Sequence, residues 1–450
     1  MHLRSAASYS AALATLSVVR GDARAGDRKD LLLRAEGLRG NVLTRLGNAA
    51  EGVTAVRAAL DEALDAELTD TAAELQQRLA DSLEHSGDYQ AATAAYGAAF
   101  QYCDELGKDA AGQLCRACAT AVLFSRGEWD LAAAVCDEVL AAGGAPHARA
   151  VAACCSGLIS GLRGDGGTAR ARLLEASVLG TRIELTAVQL MSGWGLAMLE
   201  DQAGARTAAT DRLRQVLALV HRTQERHYCV PVLQWAATFF GRHGLADDAH
   251  ACAAALSAIS EATAQPEAIA ALAHALGETL LPDDPAAAAR ELRRAAGMLD
   301  ELGLPLAAAH ASHRAAVAAT AAGEAAAARQ LLQAACHTAE RLGARQLLED
   351  CAAALSGLDG QPAPGPARTA KAAGKTARAI AGLTARELDV MRLVADGNTA
   401  RQAGAALFIS PRTVEMHVQS CLLKLGCRTR AEAVRRLAEL GALSVPAKTG

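Results

Sequence analysis

In the stretch LFISPRTVEMHVQSCLLKLG, residues 407–426, the side chains of Arg412, Glu415, Met416 and Gln419 fall on one side of a helix, with Thr413, His417, Ser420 and Lys424 along its edge. Donors, acceptors and a thioether spaced by three and four make a surface that exchanges hydrogen bonds with a polar partner. Bond-breaking chemistry needs a nucleophile beside a base or converging carboxylates, and no such constellation stands elsewhere in the chain, so an enzyme is not expected. The histidines lack HExxH spacing. His310 and His313, three apart on an alanine-rich helix, read as packed rather than as ligands. Cys115 and Cys118 form a CxxC without a second ligand pair, so they read as packing, as does Cys154-Cys155. The AAGKT at 372–376 imitates a phosphate loop, but Thr369 stands where that loop needs glycine, and no strand precedes it. Neither a metal nor a cofactor is expected.

A polar face of this kind needs rigid elements beneath it, and the flanking sequence supplies them. Ser410 caps the helix and Pro411 takes its first position, where a missing N–H costs nothing. Val414, Val418, Cys421, Leu422 and Leu425 make the apolar stripe opposite the polar face. Upstream, Thr384 and Glu387 form a capping box for a helix that carries Leu388, Met391, Val394 and Ala395 inward and stops at Gly397. Thr399 caps a second, short helix through Ala406, and Phe408-Ile409 make the turn. A short helix, a tight turn and a second helix with a polar outer face form the unit that reads a major groove.

Charge supports a polyanionic partner for this end. From Pro366 onward the chain holds 14 Lys and Arg against 6 Asp and Glu, a net +8, whereas the preceding part carries −12. Aromatics are only 3% of the chain, too few for the stacking rings of a single-strand groove. The twelve cysteines, several within apolar helical patterns, suit a reducing compartment. No run reaches the length of a membrane span, and the polar-interrupted start is not read as a secretion signal, so a cytoplasmic protein is expected.

The preceding part repeats. A turn residue at Gly47, Gly87, Gly127, Gly164, Gly204, Gly244, Asp283 and Gly323 is each time followed by small or apolar side chains five, nine and twelve positions on. Anchors 37 to 40 residues apart with offsets of four and three predict stacked helical hairpins, none able to bury its apolar face alone. GDYQAATAAYGAAF resembles the second helix of a tetratricopeptide repeat through Gly87, Tyr89, Ala92, Tyr96 and Ala99. The aromatics of RHYCVPVLQWAATFFGRHG, namely Tyr228, Trp235, Phe239 and Phe240, suit either a packed core or a ligand-facing patch. Residues 357–381, rich in Pro, Gly and Ala with Lys371, Lys375 and Arg378, read as a flexible basic tether. The expected organisation is all-α: an elongated tetratricopeptide-like solenoid over 1–356, the tether over 357–381, and a small four-helix domain over 382–446.

LTARELDVMRLVADG, ALFISPRTVEMHV and KLGCRTRAEAV make Leu383–Leu443 closely similar to the LuxR-type (GerE-like) helix-turn-helix domain. That resemblance implies a transcriptional regulator that binds double-stranded DNA as a homodimer. It assigns base edges to Glu415, Met416 and Gln419, phosphates to Thr399, Arg412, Thr413, His417, Lys424 and Arg430, and the two-fold contact to Val434, Leu437 and Ala438 on an exposed side of the last helix. Gln402, Ala403 and Gly404 depart from the family's usual Glu, Ile and Ala, which predicts a weakened second helix. The whole is similar to the carboxy-terminal half of the large ATP-dependent LuxR-type regulators, with a solenoid that senses a protein or small-molecule effector. A protein-interaction scaffold that uses the last domain mainly to dimerise is the alternative.

Overall fold

The computed structural model describes residues 2–359, 383–427, 429–440 and 442–443, so most of the expected tether, with Lys371, Lys375 and Arg378, and the end at 446 lie outside the described residues. Every regular element among them is a helix. After His2–Ser5 and Tyr9–Ala25 come eight hairpins: Lys29–Arg45 with Ala49–Asp65, Thr69–His85 with Tyr89–Glu105, Asp109–Ser125 with Trp129–Ala141, and Pro146–Leu162 with Gly166–Arg182. The series continues with Thr186–Gln202 and Arg206–Arg222, Cys229–Arg242 and Ala246–Thr263, Pro266–Leu280 and Pro285–Glu301, Pro305–Ala321 and Ala325–Leu342. Arg345–Leu358 closes the array, running two residues past the expected boundary.

Most of these helices have 17 residues and are separated by three-residue turns, so the forty-residue beat is two steps of twenty. Most turns use one left-handed residue, and the N–H after it reaches back to a carbonyl that the helix end leaves unpaired: Asn48 to Leu43, Asp88 to Leu83, Ala205 to Glu200. Some of the intervening turns escape a glycine-anchored template because other residues take that conformation, Glu67 at φ 55° and Glu184 at φ 52°, while Gly107, Gly303 and Gly343 take it in others. Asp283 departs from the pattern. It is not left-handed, and its neighbour Asp284 caps Pro285–Glu301 by accepting from the Ala287 N–H.

The offset-nine positions, Val56, Tyr96, Cys136, Leu173, Leu213, Ala253, Leu292 and Leu332, are all buried. They form the single stripe by which the second helix of each hairpin packs on the first. The first helices are covered more widely. Thr69–His85 buries Leu75 and Leu83 but also Arg78, Asp81, Ser82, Glu84 and His85. Alternate helices touch as well as consecutive ones, Lys29–Arg45 with Thr69–His85 and Pro146–Leu162 with Thr186–Gln202. The first helices therefore stack side by side and line the inside of the coil.

That coil brings distant repeats together. Gly47 lies so close to the Ala262 carbonyl that a Cβ there would stand 2.6 Å from its oxygen, and its φ of 104° also demands glycine. Gln224 N–H donates to the Ala7 carbonyl at 3.0 Å, and Gln265 Nε2 donates to the His85 carbonyl.

The C-terminal domain comprises Ala385–Ala395, Ala400–Leu407, Pro411–Leu425 and Arg430–Glu439. Leu388, Met391, Val414, Val418, Cys421, Ala433 and Leu437 fill its core, together with Val390, Leu407 and Phe408. Leu422 and Leu425, expected on the inner stripe, are only partly covered.

Gly204 has φ 73° and open space where a Cβ would go. Gly204→Ala should cost about 1 kcal/mol through backbone conformation alone, read as a lowered urea midpoint with unchanged helicity.

Candidate functional site

Pro411–Leu425 starts at a fully formed cap. Ser410 Oγ accepts from the Thr413 N–H at 3.0 Å and pairs with the Thr413 hydroxyl at 2.8 Å, while Pro411 occupies the first turn. Val414, Val418 and Cys421 face inward. Arg412, Glu415, Met416 and Gln419 face outward, Met416 with 65% of its surface exposed. An exposed thioether flanked by hydrogen-bonding side chains has nothing to pack on within its own domain. Leu423, 82% exposed and four residues beyond Gln419, extends the same face. Sequence reasoning missed it, although its position off the Val414–Val418–Cys421–Leu425 stripe was the available signal.

The helix is oriented by Glu387. This carboxylate is buried, accepts from Ser420 Oγ at 2.6 Å and from Lys424 Nζ at 2.6 and 2.7 Å, and completes the capping box with Thr384. Burial alone would push its pKa up, but the bonds from Lys424, Ser420 and Thr384 outweigh that and hold it at about 2. Lys424 is thus engaged inside the domain. Arg430, at the start of the last helix, donates to Glu415 at 2.6 Å. Thr399 and Gln402 form a second capping box, so the glutamine that departs from the family pattern still closes the helix start. Of the three residues expected on an exposed side of the last helix, Leu437 is instead fully buried because it completes the core, whereas Val434 and Ala438 are partly covered.

A second candidate site lies inside the repeat body, a cavity of about 650 Å³. One end is a dense ionic cluster. Arg45 binds Asp81 at 2.6 Å and Glu225 at 3.1 Å, Tyr9 donates to Glu225 at 2.5 Å, and Asn41 donates to Asp81 at 2.6 Å. Glu84 accepts from Tyr96 and Tyr228 at 2.8 and 2.5 Å. Asp81, Glu84 and His85 stand close enough to suit a metal, but protein donors already take the carboxylate oxygens. The other end carries Arg314 paired with Glu278 at 2.6 and 2.8 Å, and Thr238 bridging Glu278 and His274. Tyr228 and Trp235 line the cavity, while Phe239 and Phe240 are buried in the core, so the aromatic cluster divides between its two readings. Burial raises the Cys118 thiol far above its ordinary range, with Glu84 and Asp81 adding to the effect, and burial pushes Cys155 up to about 12. Neither is a reactive thiolate.

Residues 381–437 match the model of the bacterial regulatory proteins of the luxR family. The spore germination protein GerE of Bacillus subtilis is 36% identical over 63 residues, 14% of this chain and 85% of that protein. The chain belongs to the LuxR family. Among other LuxR-type matches, the HTH-type transcriptional activator RamA of Corynebacterium glutamicum is 44% identical over 61 residues, covering 14% of this chain and 22% of that one. A putative HTH-type transcriptional regulator of Mycobacterium bovis is 39% identical over 70 residues, 16% of this chain, which spans only 8% of that protein's length. The repeat body of this LuxR-family chain has the fold of a Rap protein, whose crystal structure in complex with Competence and Sporulation Factor covers 74% of this chain and 99% of that one. The TM-score is 0.52 at 12% identity.

Two consequences can be measured. Lys424→Ala leaves the buried Glu387 carboxylate without its main partner, so amides of Ala385–Ala395 should exchange faster in the full chain at neutral pH. A carboxylate held at about 2 when folded stabilises fully above its ordinary value near 4.5. That part should fade as pH falls from there toward 2, and Glu387→Gln should remove it. In the body, burial and then the charge of His313 hold His310 at about 4, and burial and then Arg314 hold His313 at about 4. Both imidazoles are neutral when folded, so their contribution is complete above about pH 6.5 and is lost as pH falls from 6.5 to 4. The urea midpoint of the body should drop across that window, and less so in a His310→Gln, His313→Gln variant.

Proposed function

We propose that this chain is a sequence-specific, DNA-binding transcriptional regulator whose repeat body senses an effector or partner. The observation that carries the first half is the exposed face of Pro411–Leu425, rigidly capped at Ser410-Pro411 and set by Glu387, in a family of regulatory proteins. With that helix in the major groove, Glu415 accepts from cytosine N4, Gln419 pairs with adenine and Met416 meets a thymine methyl. Thr399, Arg412, Thr413, His417 and Arg430 fix register on the phosphates. Arg430 is held by Glu415 without DNA, so binding exchanges that pair for a phosphate and frees Glu415 for a base. Lys424, with about a third of its side chain exposed, meets a phosphate while keeping Glu387.

A homodimer reads two half-sites through Val434 and Ala438, with Leu437 supporting them from the core. The sensory half rests on the interior cavity. A Rap protein of like fold is complexed with Competence and Sporulation Factor, and here a small-molecule or protein effector acts from the body on DNA affinity. No helix among the described residues is long and apolar enough to cross a membrane, and the regulator acts in the cytoplasm.

Binding sites selected from random duplex DNA with the full chain test this directly. On the selected site, Gln419→Ala should cost about 1–3 kcal/mol and relax preference at one base position. Arg412→Ala should weaken all sequences alike and shallow the salt dependence by about one counterion. A chain that binds no duplex DNA at any salt overturns the regulator in favour of a dimerising scaffold.

A further inference from the structure

Resting on the sensory reading of the body, we infer that its interior cavity is a binding site for a small amphiphile with a carboxylate head, to which Arg4 and Trp194 donate. The volume of about 650 Å³ falls within the roughly 300–1,000 Å³ of sites that enclose small organic ligands.

The polar balance of the lining selects the charge. Trp194 is 5% exposed and its indole N–H has no hydrogen-bond partner, and the Arg4 Nε–H has none either. Both residues line the cavity. The carboxylates that line it are already served: Asp81 by Arg45 and Asn41, Glu225 by Tyr9 and Arg45, Glu267 by Tyr89, Asp201 by His243, and Asp350 by Gln346. What is left over is donors, and a buried donor without an acceptor costs about 1–3 kcal/mol. A ligand that completes this lining brings acceptor oxygens. Its charge is negative, because the ion-pair partner of Arg4, Asp81 at 3.6 Å, is a carboxylate that Arg45 already holds more closely at 2.6 Å. Burial and then the field of Arg4 and Arg78 also depress His147, which lines the same cavity.

The rest of the wall is apolar. Leu158, Ile183, Leu185, Val188, Met191 and Met198 supply a surface for a hydrocarbon body, and the two methionines adapt to its shape.

Calorimetric titration of the full chain with decanoate and decyltrimethylammonium below their micelle concentrations, and with decanol below its solubility limit, tests the proposal. Decanoate should bind one per chain, decanol about tenfold or more weaker, and the cation not measurably. Trp194→Phe keeps an aromatic ring and removes the N–H, so decanoate affinity should fall about fivefold and that for decanol by less, because a neutral hydroxyl oxygen is the weaker acceptor. Arg4→Gln should abolish the preference for the carboxylate, with circular dichroism and thermal melting confirming the fold. If Arg4→Gln fails to fold, Trp194→Phe decides alone. Equal affinity for the three head groups, or an unchanged preference in Trp194→Phe, overturns the site. DNA affinity measured with and without decanoate separates the two readings: binding that leaves DNA affinity unmoved sinks the sensory role and leaves the site standing.

Discussion

Arg45 stands where the coiled repeat array meets itself. Its guanidinium bonds Asp81, 36 residues away, and Glu225, 180 residues away, with Tyr9 from the N-terminal helix alongside. Taking these charges out of water costs several kcal/mol per ion, so the cluster persists only because each carboxylate is met by more than one donor. Burial would lower the pKa of Arg45, but Asp81 above all and Glu225 keep it high, so it remains a cation. Satisfying it requires Lys29–Arg45, Thr69–His85 and the segment before Cys229–Arg242 to converge. That convergence closes the coil and encloses the cavity. Helical hairpins alone give a stack, and the buried ions set where the stack comes back on itself.

The C-terminal domain uses the same device at smaller scale. Glu387 on the first helix takes Ser420 and Lys424 from the third, so the polar edge of Pro411–Leu425 is anchored inward while Glu415, Met416 and Gln419 stay outward. A helix held by a desolvated carboxylate presents its outer face with a fixed rotation, which is what reading base edges demands. Both halves of the chain thus spend a buried acid on orientation.

Much of this was legible in the amino-acid pattern. Caps are local, and Thr384–Glu387, Thr399 and Ser410-Pro411 announce themselves because the partners lie within three residues. The repeat was legible because the offset-nine side chains of each second helix face one neighbour and keep a single apolar stripe. The first helices escaped that logic. Thr69–His85 is covered on most sides yet carries Arg78, Asp81, Glu84 and His85, residues that periodicity assigns to solvent. Lys424 was read as a phosphate contact on the polar edge, and its inward bond was not foreseen, since its partner Glu387 lies 37 positions away. Leu437 sat in the interval expected of an outer contact and fills the core instead, because the four short helices need it there.

The sequence by itself determined helix, turn and cap, the beat of the repeat and the side chains of the outward face, all of which depend on residues within a few turns of one another. Only the tertiary structure decided the interior. Which acids meet which guanidinium groups, and which cavity-lining residues keep an unpaired donor, follow from closure between residues about 180 to 215 apart, and no local spacing encodes that distance.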